Sequence, residues 1–334
     1  MEIIRRRAYA RAGLAGNPSD GYHGKTLSVI VRNHWAETTL YEWDRLEIVA
    51  SQNDLSIFRN IGELADDVRL HGYYGGVRLI KATIKGFYGY CTALGIQLKK
   101  DNFSVRYESN IPRQVGLAGS SAIIVATFRC LFDFYNVEIP KNVLPSLVLA
   151  VERDELGIMA GLQDRVAQVF EGATFMNFGR ETMREISGFS CGEYEPIPID
   201  LAPPLYIAYS SDAGEPTERF HNNLRARFDA GDETVVGAMQ RFAEIAQGAR
   251  DALYRHDAEE LARLIDANFD LRHSICRLPQ RHIEMVETAR SVGASAKFAG
   301  SGGAIVGTYN GEKTYENLKA ALNAIGCQVM KLLM

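Results

Sequence analysis

Cysteine is scarce in this chain of 334 residues, with five in all, and Cys91, Cys130, Cys191, Cys276 and Cys327 are far apart and never form a Cys-x-x-Cys pair. A disulfide framework and a thiolate zinc site are thereby excluded, and the sulfurs read as small apolar side chains in a reducing compartment. Long apolar runs are missing too. None approaches the roughly 18 residues of a membrane span, and Met1 to Tyr9, with Arg5, Arg6 and Arg7, lacks the apolar stretch of a signal peptide. There is no basic excess: 37 Lys and Arg stand against 41 Asp and Glu, a net charge of −4. Nothing therefore draws the chain as a whole onto nucleic acid or anionic lipid, and any anion it binds must be held by a local site. The seven His are scattered without metal-ligand spacing. These absences leave a cytoplasmic enzyme, with no nucleic-acid or membrane partner, as the expectation.

What is present is a chain 46% hydrophobic and 23% charged, long enough for two domains with a core each. Arg7 to Ala15, Leu27 to Trp43 and Leu46 to Ala50 read as strands, the second rich in Val, Ile, Thr and aromatics. Val77, Ile80, Ile84, Phe87 and Cys91 fall at helical steps, and Gly95 is the expected stop. Phe103 to Tyr107 is a strand, and helices are expected over Ile123 to Phe132 and Leu144 to Val151. Val166 to Phe178 reads as a strand turning at Gly172. The polar stretch 185–204 holds the expected domain boundary, giving an N-terminal domain over 1–190 and a C-terminal one over 191–334. Beyond it come a strand at Leu205 to Ser210, helices near 216–229, 233–255, 257–272 and 281–292, a Gly-rich strand and turn at Lys297 to Val306, a helix around Leu318 to Ile325 and a last strand near Gln328 to Leu333. The class is α+β.

Two familiar nucleotide signatures are absent. Gly24-Lys25-Thr26 ends like a P-loop, but the glycine required at position 19 is Ser and the context is a strand, and no Gly-x-Gly-x-x-Gly occurs. The strongest segment is instead Pro112 to Ala122, with Gly116, Leu117, Ala118, Gly119, Ser120 and Ser121, running into an apolar helix. Glycines let the backbone turn its N–H groups inward, and a helix N-terminus favours negative charge, so phosphate is the natural guest. A hydroxyl of Ser120 or Ser121 could complete a Mg²⁺ shell.

Pro112-x-x-x-Gly116-Leu117-x-x-Ser120-Ser121-Ala122 resembles the second motif of the GHMP kinase superfamily. Arg11 to Asp20 resembles the first motif, Lys297 to Ala304 the third, and their order and spacing match. Within the superfamily the chain is similar to plant glucuronokinases, through Tyr73 to Leu79, Asn110 to Gln114, Glu155 to Val169, Asn268 to Arg272 and the third motif. The resemblance implies a two-domain fold, with an N-terminal domain like domain 2 of ribosomal protein S5, a C-terminal ferredoxin-like sandwich and an active site in the cleft between them. It implies transfer of the γ-phosphoryl of ATP, with Mg²⁺, to the anomeric hydroxyl of glucuronate, and a downstream nucleotide-sugar pyrophosphorylase. Kinases for galacturonate, a neutral hexose or a heptose phosphate, and a silent sugar sensor, are the alternatives.

The resemblance also assigns residues. Asp164 is the catalytic carboxylate and Arg11 the basic residue beside it. Ser121 and Glu152 are the Mg²⁺ ligands, with Glu155 a rival. Asp20 binds sugar hydroxyls, and Gly302 and Gly303 let the third motif approach substrate. Galactokinases carry Glu-His where this chain has Asn17-Pro18, and a neutral Asn17 removes a like-charge clash with a carboxylate at C6. The cation for that carboxylate is left open among Arg113, Arg165, Arg272 and Arg11. Tyr73 to Val77, at the start of a helix, are candidates for the nucleotide pocket.

Overall fold

A computed structural model describes residues 3–50, 75–210 and 224–334. Tyr73 and Tyr74, and the first part of the helix expected near 216–229, lie outside the described residues.

The β-branched and aromatic run that suggested a strand forms β2 (Lys25–Trp43), the axis of the first half. β1 (Ile3–Ala15) pairs antiparallel along one edge of it. On the other edge β4 (Asn102–Ser109) covers one end and β5 (Ala173–Asn177) the other. β3 (Glu47–Val49) extends the sheet beyond β4, and β8 (Glu193–Ile197) extends it beyond β5. β6 (Arg184–Ile186) and β7 (Phe189–Cys191) form a separate small hairpin. α1 (Gly76–Ala93) and α2 (Gly119–Tyr135) pack over this half, and the face of α1 that carries Ile80, Phe87 and Cys91 is buried as the helical spacing requires.

α3 (Leu144–Ala150) runs into a π-turn over Val151–Glu155, closed by Ile158 N–H donating to the Glu152 carbonyl. The segment then differs from the strand expected over Val166 to Phe178. Gln163–Phe170 is a helix, α4, and only Ala173–Asn177 is extended. Val166, Val169 and Phe170 mimic strand composition, yet Val166 and Val169 are one helical turn apart and both are buried. Helical geometry also brings Gln163, Arg165 and Gln168 inside, where each finds a partner.

The second half is a four-stranded antiparallel sheet in the order β10 (Lys297–Phe298), β11 (Ala304–Thr308), β9 (Leu205–Ser210), β12 (Cys327–Lys331). Its helices are α5 (Leu224–Asp229), α6 (Glu233–Tyr254), α7 (Ala258–Ile275), α8 (Gln280–Ser291) and α9 (Gly311–Ala324). Phe298, Phe269, Val286 and Leu318 share one core. Ala246, Ala249, Leu261 and Ile265 of α6 and α7 join instead the core built on Leu14, Leu27 and Val29 of β1 and β2. That shared core brings α7 and β10 against the chain leaving β1. The three glycine-rich segments meet there.

Candidate active site

Arg11 lies near the inner end of β1, 5% exposed. Its Nε donates to Asp164 Oδ1 at 2.6 Å. Its Nη1 donates to the carbonyls of Gly116 at 2.7 Å and Ala299 at 3.1 Å. One guanidinium thus ties the catalytic candidate to both other glycine-rich segments. The segments also touch directly. A Cβ on Gly300 would lie 2.3 Å from the Gly116 carbonyl oxygen, and one on Gly116, at φ +74°, would lie 2.9 Å from that of Gly302. No side chain fits at either position, so the two loops require glycine on both sides.

Ala118, in the left-handed region at φ 60°, caps α2 without offering it a side-chain acceptor. The first N–H groups of a buried apolar helix are therefore left facing the loop. Gln168 Nε2 donates to the Ala118 carbonyl at 2.8 Å and pins the loop to α4. Pro112, Leu117, Gly119, Ser120 and Ala122 follow the same path, with Leu117 and Ala122 buried beneath it.

Asp164 opens α4. Burial alone would raise its carboxyl, but Arg11 and Arg165 outweigh that and hold it below the usual carboxylate range. Arg165 Nη1 is 3.3 Å from Asp164 Oδ2, and its Nε donates to Glu152 Oε2 at 2.5 Å with Nη2 on the same oxygen. Glu152 is 1% exposed. Its other oxygen, Oε1, accepts from Ser121 Oγ at 3.2 Å. Burial pushes the Glu152 carboxyl up, against the opposing pull of Arg165. Glu155 turns away to Lys85, 2.5 Å distant on the surface.

Asp20, the last residue of the first motif, sits in the short helical turn Ser19–Tyr22. Its carboxyl is raised to about 6 by burial and by the charge of Asp164, against the Gln163 and Gly21 N–H groups and Arg11. A Cβ on Gly161 would come within 2.3 Å of Asp20 Oδ2, so the loop before α4 closes directly over this carboxylate.

The structure brings Arg11, Asn17, Asp20, Gly116 to Ser121, Glu152, Asp164, Gly302 and Gly303 into one region. It separates the four arginines considered for a substrate carboxylate. Arg165 is committed to Glu152, Asp164 and the Gly161 carbonyl. Arg272 donates to the carbonyls of Gly300 at 2.7 Å and Ser301 at 3.2 Å and shapes the third motif. Arg11 is committed as described, and Arg113 is the exposed one.

Sequence reasoning missed three residues. Asn268 of α7 accepts from Gly16 N–H at 2.6 Å and donates to the Asn17 carbonyl at 3.2 Å, holding the first motif from the other half. Gln163 donates from Nε2 to Ser28 Oγ at 2.8 Å beside Gly13. Lys297, 1% exposed, donates to the Gly13 carbonyl at 2.5 Å, Asn17 Oδ1 at 2.6 Å and the Phe298 carbonyl at 2.8 Å. Asn268 and Lys297 stand in the family-like segments, but their burial against the first motif follows only from the packing of the halves.

Among known proteins, residues 78–172 match the family model of the GHMP kinases N terminal domain. The chain is 44% identical over 310 residues to Glucuronokinase 1 of Arabidopsis thaliana, covering 91% of this chain and 84% of that protein. It is 45% identical over 312 residues to the Probable glucuronokinase 2 of the same plant, with the same coverage. The solved structure of Lactococcus lactis galactokinase complexed with galactose superposes with a TM-score of 0.79 at 16% identity, covering 100% of this chain and 94% of the other, which shows the fold.

Proposed function

The chain belongs to the glucuronokinase family of GHMP kinases, and from that premise we propose that it transfers the γ-phosphoryl of ATP to the anomeric hydroxyl of D-glucuronate, giving glucuronate 1-phosphate. The observation that carries the reading is the Arg11–Asp164 pair set at the junction of all three glycine-rich segments. Phosphoryl transfer asks a protein mainly for positioning and for countercharge, and this junction supplies both.

The Gly116 to Ser121 backbone and the N-terminus of α2 hold the phosphates. Asp164 is ionised and a weak base, so it orients the attacking hydroxyl and takes its proton late, as the bond to phosphorus forms. Arg11 keeps that carboxylate aimed and balances charge on the moving phosphoryl. Asp20 accepts hydrogen bonds from sugar hydroxyls, while Asn17, Arg113, Gly302 and Gly303 complete the sugar side. Ser121 Oγ and Glu152 Oε1 form a buried all-oxygen pair suited to Mg²⁺, a hard cation that keeps few protein ligands beside phosphates and water. Bound there, the cation would neutralise charge on the phosphates. Arg165 holds the other oxygen of Glu152 and fixes its direction.

We place the change from one half to the other at 198–204, since β8 still belongs to the first sheet, with the cleft between the halves as the site. A cytoplasmic location and a consuming nucleotide-sugar pyrophosphorylase complete the proposal. Among the described residues no helix is long and apolar enough to cross a membrane. The test is ADP release from Mg²⁺-ATP with glucuronate, galacturonate, glucose and galactose offered separately. Turnover with glucuronate well above the others supports the reading, and no turnover on either acid sugar overturns it.

A further inference from the structure

Among the described residues Lys297 has no carboxylate partner. Its three acceptors are all neutral oxygens, the carbonyls of Gly13 and Phe298 and the Asn17 side-chain oxygen. A neutral amine has two protons to donate, so only the ammonium satisfies all three. The nearby charges are cationic: Arg272, which itself donates only to carbonyls, and Arg11, whose single carboxylate is Asp164. Burial and those two arginines press Lys297 well below its ordinary pKa. A buried charge opposed in this way costs stability, which its three hydrogen bonds offset only in part.

The lysine also fixes the direction of the Asn17 amide. A lysine only donates, so the oxygen of Asn17 must face it and Nδ2 must face the other way. Among the described residues Nδ2 has no protein partner. Asn17 is only 6% exposed, and it adjoins Gly13 and Gln163, whose backbone N–H holds Asp20.

We propose that Lys297 is a positioning residue for the sugar acid: it holds the Asn17 amide so that Nδ2 donates to the carboxylate of the substrate, and places uncompensated positive charge behind that contact. This deepens the proposed function and rests on it. The acceptor of the Nδ2 hydrogen bond is the anionic end of a uronate. The position that would repel it with Glu instead attracts it, because Lys297 decides which end of Asn17 faces the cleft. An uncharged hexose offers that amide only a hydroxyl.

The experiment uses Lys297→Met, Asn17→Leu and the double variant of the full chain. Lys297→Met raises KM for glucuronate about tenfold or more, the effect of losing a hydrogen bond to a charged group. KM for ATP stays within about twofold, a split that a general loss of folded protein would not produce, whatever the cost of leaving three buried acceptors unpaired. Asn17→Leu raises the same KM, and the double variant is no worse than the poorer single one, since both act on one contact. Unchanged KM for glucuronate in Lys297→Met, a parallel rise in both KM values with a falling Tm, or multiplying effects in the double variant would each overturn the proposal. Should Lys297→Met fail to fold, Asn17→Leu decides alone, and an unchanged glucuronate KM there overturns it. Wild-type protein without glucuronate turnover would instead overturn the proposed function itself.

Discussion

Arg11 Nε lies 2.6 Å from Asp164 Oδ1, a partly buried contact between residues 153 positions apart in the chain. The arginine arrives on β1 and the carboxylate on the first turn of α4. The same guanidinium grips the Gly116 and Ala299 carbonyls, so the pair fixes the geometry of the whole junction. Asp164→Asn keeps the shape and removes the charge. We expect kcat to fall at least about a hundredfold, the usual effect of losing a positioned acid–base group, with KM for ATP little changed. Steady-state kinetics of the purified variant checks this, and near-normal turnover would deny Asp164 its role.

Asp20 titrates at about 6, and only its ionised form accepts hydrogen bonds on both oxygens from sugar hydroxyls. KM for the sugar should therefore be flat above that pH and rise as the pH falls through it. The effect on folding has the opposite sign. Burial raises this carboxyl above its unfolded value, so stability is greatest where Asp20 is protonated and is lost as the pH rises through about 6. Asp20→Asn should thus abolish the acid limb of sugar KM, weaken sugar binding at neutral pH, and raise Tm near pH 8 but not near pH 4.

Glu152 serves two partners, and its two oxygens can be tested apart. Ser121→Ala removes the hydroxyl beside Oε1, which should raise the Mg²⁺ concentration needed for half-maximal turnover with little change in Tm. Glu152→Ala leaves Arg165 buried without its main counter-charge, a loss of about 3–5 kcal/mol for a broken buried pair. Denaturant unfolding of the two variants separates the metal effect from the structural one.

Gly300 and Gly116 are expected to be intolerant of any side chain. Gly300→Ala sets a methyl 2.3 Å from the Gly116 carbonyl oxygen, and the loops must part to admit it. Overpacking of this kind costs about 1–3 kcal/mol and moves the phosphate loop relative to Arg11, so activity should fall further than stability. Gly89, with open space around it, is the control position: Gly89→Ala should leave turnover unchanged.

Most of the strand and helix order was readable from periodicity and turn residues, because β2, α1 and α6 carry long, one-signal patterns, but the short strands β6, β7 and β8 lie largely in the polar stretch read as the domain boundary. The stretch 163–170 was not, since Val166, Val169 and Phe170 satisfy a strand composition while the polar residues between them point inward to partners no local pattern shows. Asn17 was legible as a neutral residue in the first motif. The direction of its amide was not, because Lys297 sits 280 residues later and reaches it only through the packing of β10 against the end of β1. Arg272 and Arg165 looked like anion binders on chemistry alone, and their protein partners became visible only in three dimensions.

The proposed reaction places phosphate at C1 of a sugar acid and nowhere else. The most direct measurement is ³¹P and ¹H NMR of the product formed from Mg²⁺-ATP and glucuronate by the wild-type protein. One new phosphate resonance coupled to the anomeric proton is expected, formed in step with ADP. Phosphate coupled to any other ring proton, or ADP released with no phosphorylated uronate, would contradict it.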